Sequence, residues 1–284
     1  MAHGKVEKKG SFSDFDPMDY LDAKFQPVNI GEEEDECRSK NKYSSFMLKN
    51  LSQFYGEFPP ESDLKVLDYG CGPTLAFSIS VAPKARQIVL ADYSQSNLDS
   101  IVEWLNRDPR AYNWTPTFKH VLRDLEGLSD ELATVVAKRE ERLRHSVEGT
   151  VRCDVRTDDF IAERYRRIYN VVMCFLCLES AFRDLQGYRS GVEKLASLLE
   201  VGGHLLLSCA LREGRDASQT SYFVRGVEFN DVVLGRDFVL ETLLGCGFRV
   251  TKEDYLPLPP DHFENCDGFL FVSAQKETSQ SRKS

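Results

Sequence analysis

The sequence predicts an α/β fold, a mainly parallel, doubly wound sheet with helices on both faces. Three observations carry that expectation. Apolar runs of strand length alternate with helical patterns along the chain. Residues 168–175 are almost wholly apolar, the composition of a parallel strand buried on both faces. The stretch Val66-Leu67-Asp68-Tyr69-Gly70-Cys71-Gly72-Pro73-Thr74 ends one strand in an acid and turns through Gly-x-Gly toward a second strand that closes at Asp92.

Each element follows in order. Residues 1–11 are polar and lysine-bearing and read as a tail, as do residues 277–284. Residues 12–276 are expected to form one domain, with no internal repeat or linker. Phe12, Phe15, Tyr20 and Phe25 gather around Pro17, which suits a lid over about residues 12–60 or an amphipathic helix docked on the sheet. The acidic run 31–36 reads as a solvated loop. Phe46, Leu48, Leu51, Phe54 and Tyr55 recur at helical spacing until Pro59-Pro60. Residues 65–69 make the first strand, residues 74–81 a helix whose amides face the glycine turn, and residues 87–91 the second strand. Ser94 is placed to cap a helix with Leu98, Ile101, Val102 and Leu105 on one face. A long charged helix at 129–147 precedes the third strand at 150–155, with Asp154 at its end. The fourth strand, 168–175, is followed by a helix at 184–199 and a fifth strand at 204–210. A hairpin around 223–233, a helix at 237–244 and strands at 249–256 and 269–274 complete the pattern.

Composition narrows the function. A hydrophobic content of 42% over 284 residues fills a substantial core. The net charge of −9 argues against a nucleic-acid partner and suits a neutral or cationic substrate. No stretch approaches the roughly 20 apolar residues of a membrane span, and the N-terminus lacks the apolar core of a secretory signal. The eight cysteines are scattered, several in apolar strands, and read as reduced thiols of a cytoplasmic protein, expected to be a monomer. Cys174 and Cys177 form a C-x-x-C inside such a strand, and the five histidines are dispersed, so no metal is expected.

The glycine turn and Asp92 describe a nucleoside pocket. Gly70 and Gly72 let backbone approach a ligand, and Asp92 is placed to accept from both ribose hydroxyls. The third glycine of the dinucleotide fingerprint is missing, because Gly72 is followed by Pro73, Thr74 and Leu75. That counts against a nicotinamide-dependent oxidoreductase. S-adenosylmethionine has no pyrophosphate, and it needs an acid for the ribose and a second polar group near the adenine. Asp92 and Asp154 would supply these.

The chain resembles the nicotinamide, phenylethanolamine and indolethylamine N-methyltransferase family. The matching stretches include Phe15-Asp16-Pro17-Met18-Asp19-Tyr20-Leu21, Asp68 to Thr74, Asp92-Tyr93-Ser94-Gln95-Ser96-Asn97-Leu98, Asp124-Leu125-Glu126-Gly127, Cys153-Asp154-Val155, Cys177-Leu178-Glu179 and Gly202-Gly203-His204-Leu205. The resemblance implies a Rossmann-like class I methyltransferase fold, seven-stranded, with an N-terminal helical lid. It also implies roles. Tyr20 would bind the methionine carboxylate, and Gly70, Gly72 and Thr74 would pass beneath the cofactor. Asp92 would hold the ribose, Tyr93 would stack beside adenine, and Asn97 would sit near the methionine. Asp154 and Val155 would read the adenine edge. Phe25 stands where the family has a second lid aromatic, and Phe175 where many relatives carry threonine.

Methyl transfer from a sulfonium needs an aligned nitrogen lone pair, and an aliphatic amine must first lose a proton. Glu179 matches the family acid near the amine and is the expected catalytic residue. Nicotinamide enzymes carry an aspartate at the end of strand five, where this chain has Cys209, followed by Ala210. A thiol is a poor substitute for a carboxylate acceptor. Tyr222 and Phe223, beyond the polar segment 212–220, and Glu264 or Asn265, before the last strand, complete the expected substrate set. The expected activity is therefore N-methylation of a small amine or N-heterocycle. Nicotinamide N-methylation proper and non-catalytic cofactor binding stand as alternatives.

Overall fold

The strands form a seven-stranded sheet in the order β4-β3-β2-β5-β6-β10-β9. They are β2 (Leu64–Tyr69), β3 (Ala85–Asp92), β4 (Val147–Arg152), β5 (Tyr169–Phe175), β6 (Leu199–Leu211), β9 (Phe248–Pro257) and β10 (Gly268–Lys276). The first five pair in parallel, while β10 runs antiparallel to both β6 and β9. A smaller sheet pairs β7 (Ser221–Val224) with β8 (Val227–Asn230), and β1 (Lys8–Lys9) adds alongside β8. The computed structural model describes residues 8–9, 16–25, 42–60, 62–212, 221–224, 227–259 and 266–278.

Alternation along each central strand feeds two apolar layers. Val66, Ile88, Leu90, Val171 and Met173 face one side, where they meet helices α2 (Lys42–Gly56), α3 (Gln95–Leu105) and α5 (Leu132–Ser146). Leu67, Val89 and Val172 face the other side, with α7 (Leu185–Ser197) and α8 (Arg236–Gly245). Both faces are covered, which is why these strands read as continuous apolar runs. The short helix α4 (Thr115–Lys119) buries Phe118 in the first layer.

The N-terminal helix α1 (Pro17–Lys24) starts where Asp16 accepts from the Met18 and Asp19 amides, with Pro17 in the first turn. It buries Leu21, and the Tyr112 hydroxyl donates to the Phe25 carbonyl at 3.1 Å.

Several expectations need correction. Residues 74–81 make a 3₁₀ turn, Ala76–Ser78, in place of an α-helix. Leu75, Ala76, Phe77 and Ile79 are all buried there, so the segment has no solvent face to run along. This segment therefore presents no α-helix N-terminus to the glycine turn. On α3, Val102 is exposed and Trp104 takes its place in the core. Ser94 has the extended backbone of an N-cap, but its hydroxyl bonds the Ser96 hydroxyl instead. Strand β4 stops at Arg152, leaving Asp154 just beyond it. Strand β6 begins at Leu199, but its pairing with β5 jumps from Leu199 to His204 across Gly202, which has φ +83°, so the regular parallel ladder starts at His204 as expected.

Candidate active site

The carboxyl ends of β2, β3 and β5 open into a cavity of about 210 Å³ where the strand order reverses. Asp92 ends β3. Its Oδ2 accepts from the Gly72 amide at 2.8 Å, and its Oδ1 accepts from the Ser94 amide at 2.8 Å and Asn97 Nδ2 at 2.9 Å. One carboxylate thus ties the glycine turn to the start of α3. A carboxylate has about four acceptor positions, so the one left lies on Oδ2. Burial pushes the Asp92 carboxyl above its ordinary value, and these three hydrogen bonds offset that only in part.

The two glycines have different tasks. Gly70 has φ +75°, and a Cβ there would lie 2.3 Å from Cys177 Sγ. Gly72 has φ +60°, and a Cβ there would meet nothing within 4 Å. Gly70 admits a neighbouring side chain, while Gly72 keeps the turn open toward the cavity. Asp68, 1% exposed, has an Oδ2 with no hydrogen-bond partner among the described residues. Burial, and then the nearby Asp92 charge, pushes its carboxyl up to about 8.

Around this end stand Tyr20 and Lys24 of α1, together with Thr74, Val155 and Phe175. Tyr93 is 41% exposed, and the Arg156 guanidinium lies 5.0 Å from its ring centroid. Arg156 also donates to both Asp154 oxygens at 2.8 Å and holds that carboxyl below its ordinary value.

The opposite end starts at Leu176, whose φ of +51° puts a branched residue in the left-handed region. That costs about 1–2 kcal/mol and turns the chain off β5 into α6 (Leu178–Ala181). The turn brings Cys177, Glu179 and Ser180 to the cavity. Glu179 is 2% exposed, and its Oε1 accepts from the Ala210 amide at 3.1 Å. Burial, and then the charge of Asp231, pushes the Glu179 carboxyl up to about 8. Asp231 itself accepts from Ser180 Oγ at 2.6 Å and from Arg212 Nη2 at 3.0 Å. Tyr43, Cys266 and Phe269 complete the wall.

Of the residues expected from sequence, Tyr20, Gly70, Gly72, Thr74, Asp92, Tyr93, Asn97, Asp154, Val155, Phe175, Glu179 and Ala210 line this one cavity. Phe25 does not. It packs in the aromatic core, 5.3 Å from Trp114 and 6.0 Å from Phe77 between ring centroids. Cys209 also turns away. It alternates with Ala210 along β6, so its side chain enters the opposite apolar layer beside Tyr188. Tyr222 and Phe223 lie in β7, where only the backbone is described, and Glu264 and Asn265 lie outside the described residues. Sequence reasoning missed Tyr43, Ser180 and Asp231, and reached Arg212 only as the start of a polar segment. No group of residues suited to a metal occurs among the described residues.

Residues 3–277 match the family model described as the NNMT/PNMT/TEMT family. The chain belongs to this family. It is 29% identical over 269 residues to indolethylamine N-methyltransferase of Mus musculus, covering 94% of each chain. It is 30% identical over 251 residues to nicotinamide N-methyltransferase of Homo sapiens, covering 88% of each. The magnesium protoporphyrin IX methyltransferase of Synechocystis PCC 6803, solved with bound S-adenosylhomocysteine, shares the fold with a TM-score of 0.50. It is 12% identical, and the match covers 88% of this chain and 90% of that one. As a family member with a class I methyltransferase fold, the protein is an S-adenosylmethionine-dependent N-methyltransferase.

Proposed function

We propose that the cavity's two ends divide the work, with the cofactor on the Asp92 side and a small amine on the Glu179 side. The observation that carries this reading is that both buried acids line one continuous cavity. The cradle suits S-adenosylmethionine, since Gly72 leaves space and Asp68 offers an unpartnered carboxyl oxygen to a cation. When bound, the cofactor supplies a methyl group on a sulfonium, open to in-line attack by a nitrogen lone pair.

In this reading Asp92 receives a ribose hydroxyl on the remaining position of Oδ2. Tyr93, Asp154 and Val155 hold the adenine, and Asp68 faces the methionine ammonium. Tyr20 reaches down from the lid, which with the rest of residues 12–276 we take as one domain. Glu179 orients the acceptor and takes its proton, while the enclosing walls exclude water. The acid-rich acceptor end favours an amine. Nicotinamide is the second reading, favoured by the likeness to the human nicotinamide enzyme. We also place the protein in the cytoplasm as a monomer, without a nucleic-acid partner, on its reduced thiols and acidic charge. Among the described residues, no helix is long and apolar enough to cross a membrane.

Calorimetric titration with S-adenosylmethionine and with NAD tests the cofactor, and binding to the first alone is expected. Turnover of tryptamine, phenylethanolamine, octopamine and nicotinamide tests the acceptor. Amine turnover above that of nicotinamide is expected, and the reverse order would favour the second reading.

A further inference from the structure

The acceptor end holds a second carboxylate that the reading above leaves without a task. Asp231 and Arg212 stand at the two ends of the segment carrying the β7–β8 hairpin, and they pair across its base. Their side chains are 5% and 2% exposed. A buried ion pair is costly to desolvate and, in stability alone, often does no better than an apolar pair. This one lines the cavity beside Glu179.

The two acids are clamped to each other. Ser180, next to Glu179, donates to Asp231 Oδ1, and the amide of Val232, next to Asp231, donates to the Glu179 carbonyl at 2.8 Å. From β6 the Ala210 amide holds Glu179 Oε1. Beyond that strand, Arg212 donates from Nη2 to Asp231 Oδ2 and from its amide to the Leu234 carbonyl.

We propose that Asp231 is a positioning residue that sets how strongly Glu179 holds a proton, and so suits the pocket to acceptors that arrive as ammonium ions. The proposal rests on Glu179 facing the acceptor, as argued above. The other titratable groups among the described residues that sense the charge of Glu179 are Tyr43 of α2, Cys174 of β5, Tyr188 of α7 and Cys209 of β6. Burial raises Tyr43, Tyr188 and Cys209 well above their ordinary values, and a hydrogen bond to Cys177 and then burial does the same for Cys174, so they stay neutral. Among the described residues, only Asp231 and Arg212 bring charge. Asp231 raises the proton affinity of Glu179 and Arg212 lowers it, with Asp231 the stronger. In the step this serves, an ammonium N–H bond breaks, its electron pair stays on nitrogen, and the proton goes to the Glu179 carboxylate. An N-heterocycle whose ring nitrogen carries no proton bypasses the step.

The test is an infrared pH titration of the Glu179 carboxyl in the full chain with S-adenosylhomocysteine bound, assigned by its loss in Glu179→Gln. Asp231→Asn should lower the midpoint by about one pH unit or more. Arg212→Met should raise it, and Asp231→Glu should restore it. A merely structural role does not move the two charge variants in opposite directions. The double variant Asp231→Asn/Arg212→Met removes both members of the pair together and so guards against misfolding. Its midpoint should also fall, by less than in Asp231→Asn. An unmoved midpoint in Asp231→Asn and in the double variant overturns the proposal. The pH dependence of tryptamine turnover should follow the same midpoints, and nicotinamide turnover should not. Midpoints that move as stated while tryptamine turnover ignores them would uphold the coupling and overturn the reading of Glu179 as proton acceptor.

Discussion

At the cofactor end, Asp92 gathers Gly72, Ser94 and Asn97 from sequence separations of 20, 2 and 5 residues. At the acceptor end, Glu179 meets the Ala210 amide across 31 residues, and Ser180 meets Asp231 across 51. One end is a local device, a strand end and a turn that bring their own partners. The other is assembled from α2, α6, the end of β6 and the segment after a hairpin. The cofactor end can therefore stay fixed while the acceptor end changes with any of its distant contributors.

The largest expected effect breaks the two ends apart. Glu179→Gln should lower tryptamine turnover by about 10²–10⁴-fold while cofactor affinity, read by calorimetry, changes little. Equal losses in both would mean the ends are not separable. Asp92→Ala works from the other side. Losing a carboxylate that organises three donors should weaken S-adenosylmethionine binding by about 100-fold. Unchanged affinity would remove Asp92 from the cofactor site.

The two glycines sharpen the comparison within one turn. Gly70→Ala adds a Cβ against Cys177 Sγ on top of the left-handed backbone penalty, and should cost about 3 kcal/mol or more in urea unfolding. Gly72→Ala should cost only about 1–2 kcal/mol of stability and instead lose cofactor affinity. The reverse ranking would contradict the tasks assigned to them.

The smallest effect is a pH dependence shared by both ends. Asp68 and Glu179 are each pushed up to about 8 in the folded chain, chiefly by burial. In the unfolded chain such carboxyls lose their protons near pH 4. Between those values the folded state binds more protons, so stability falls as pH rises through that window. The melting temperature of the apoprotein should be lower at pH 8 than at pH 6. Saturating S-adenosylmethionine should flatten that slope, because a cation at Asp68 favours its ionised form. Asp68→Asn should remove Asp68's share.

The same contrast explains what could be read from the chain. Continuous apolar runs placed the central strands of the main sheet, because strands covered on both faces are largely apolar. Asp92 was legible because its partners lie in the next turn and in the glycine turn only 20 residues before it. The 3₁₀ turn at Ala76–Ser78 was not, because an apolar run looks alike whether it coils as a helix or packs as a buried turn. Cys209 was assigned to the wrong face because a one-residue change of register exchanges the two sides of a strand. Ala210, beside it, is the residue that reaches the cavity. Asp231 carries no local signal. Its place depends on a hairpin that returns the chain to Arg212, and only the folded arrangement shows that closure.

The central claim is that one cavity aligns a sulfonium-borne methyl group with an amine nitrogen. Incubating the protein with S-adenosylmethionine carrying a deuterated methyl group and with tryptamine, then reading the products by mass spectrometry, tests it directly. The account predicts the deuterated methyl on the amine nitrogen, with equimolar S-adenosylhomocysteine. Cofactor binding without any labelled amine, from tryptamine or from phenylethanolamine and octopamine in its place, would contradict it.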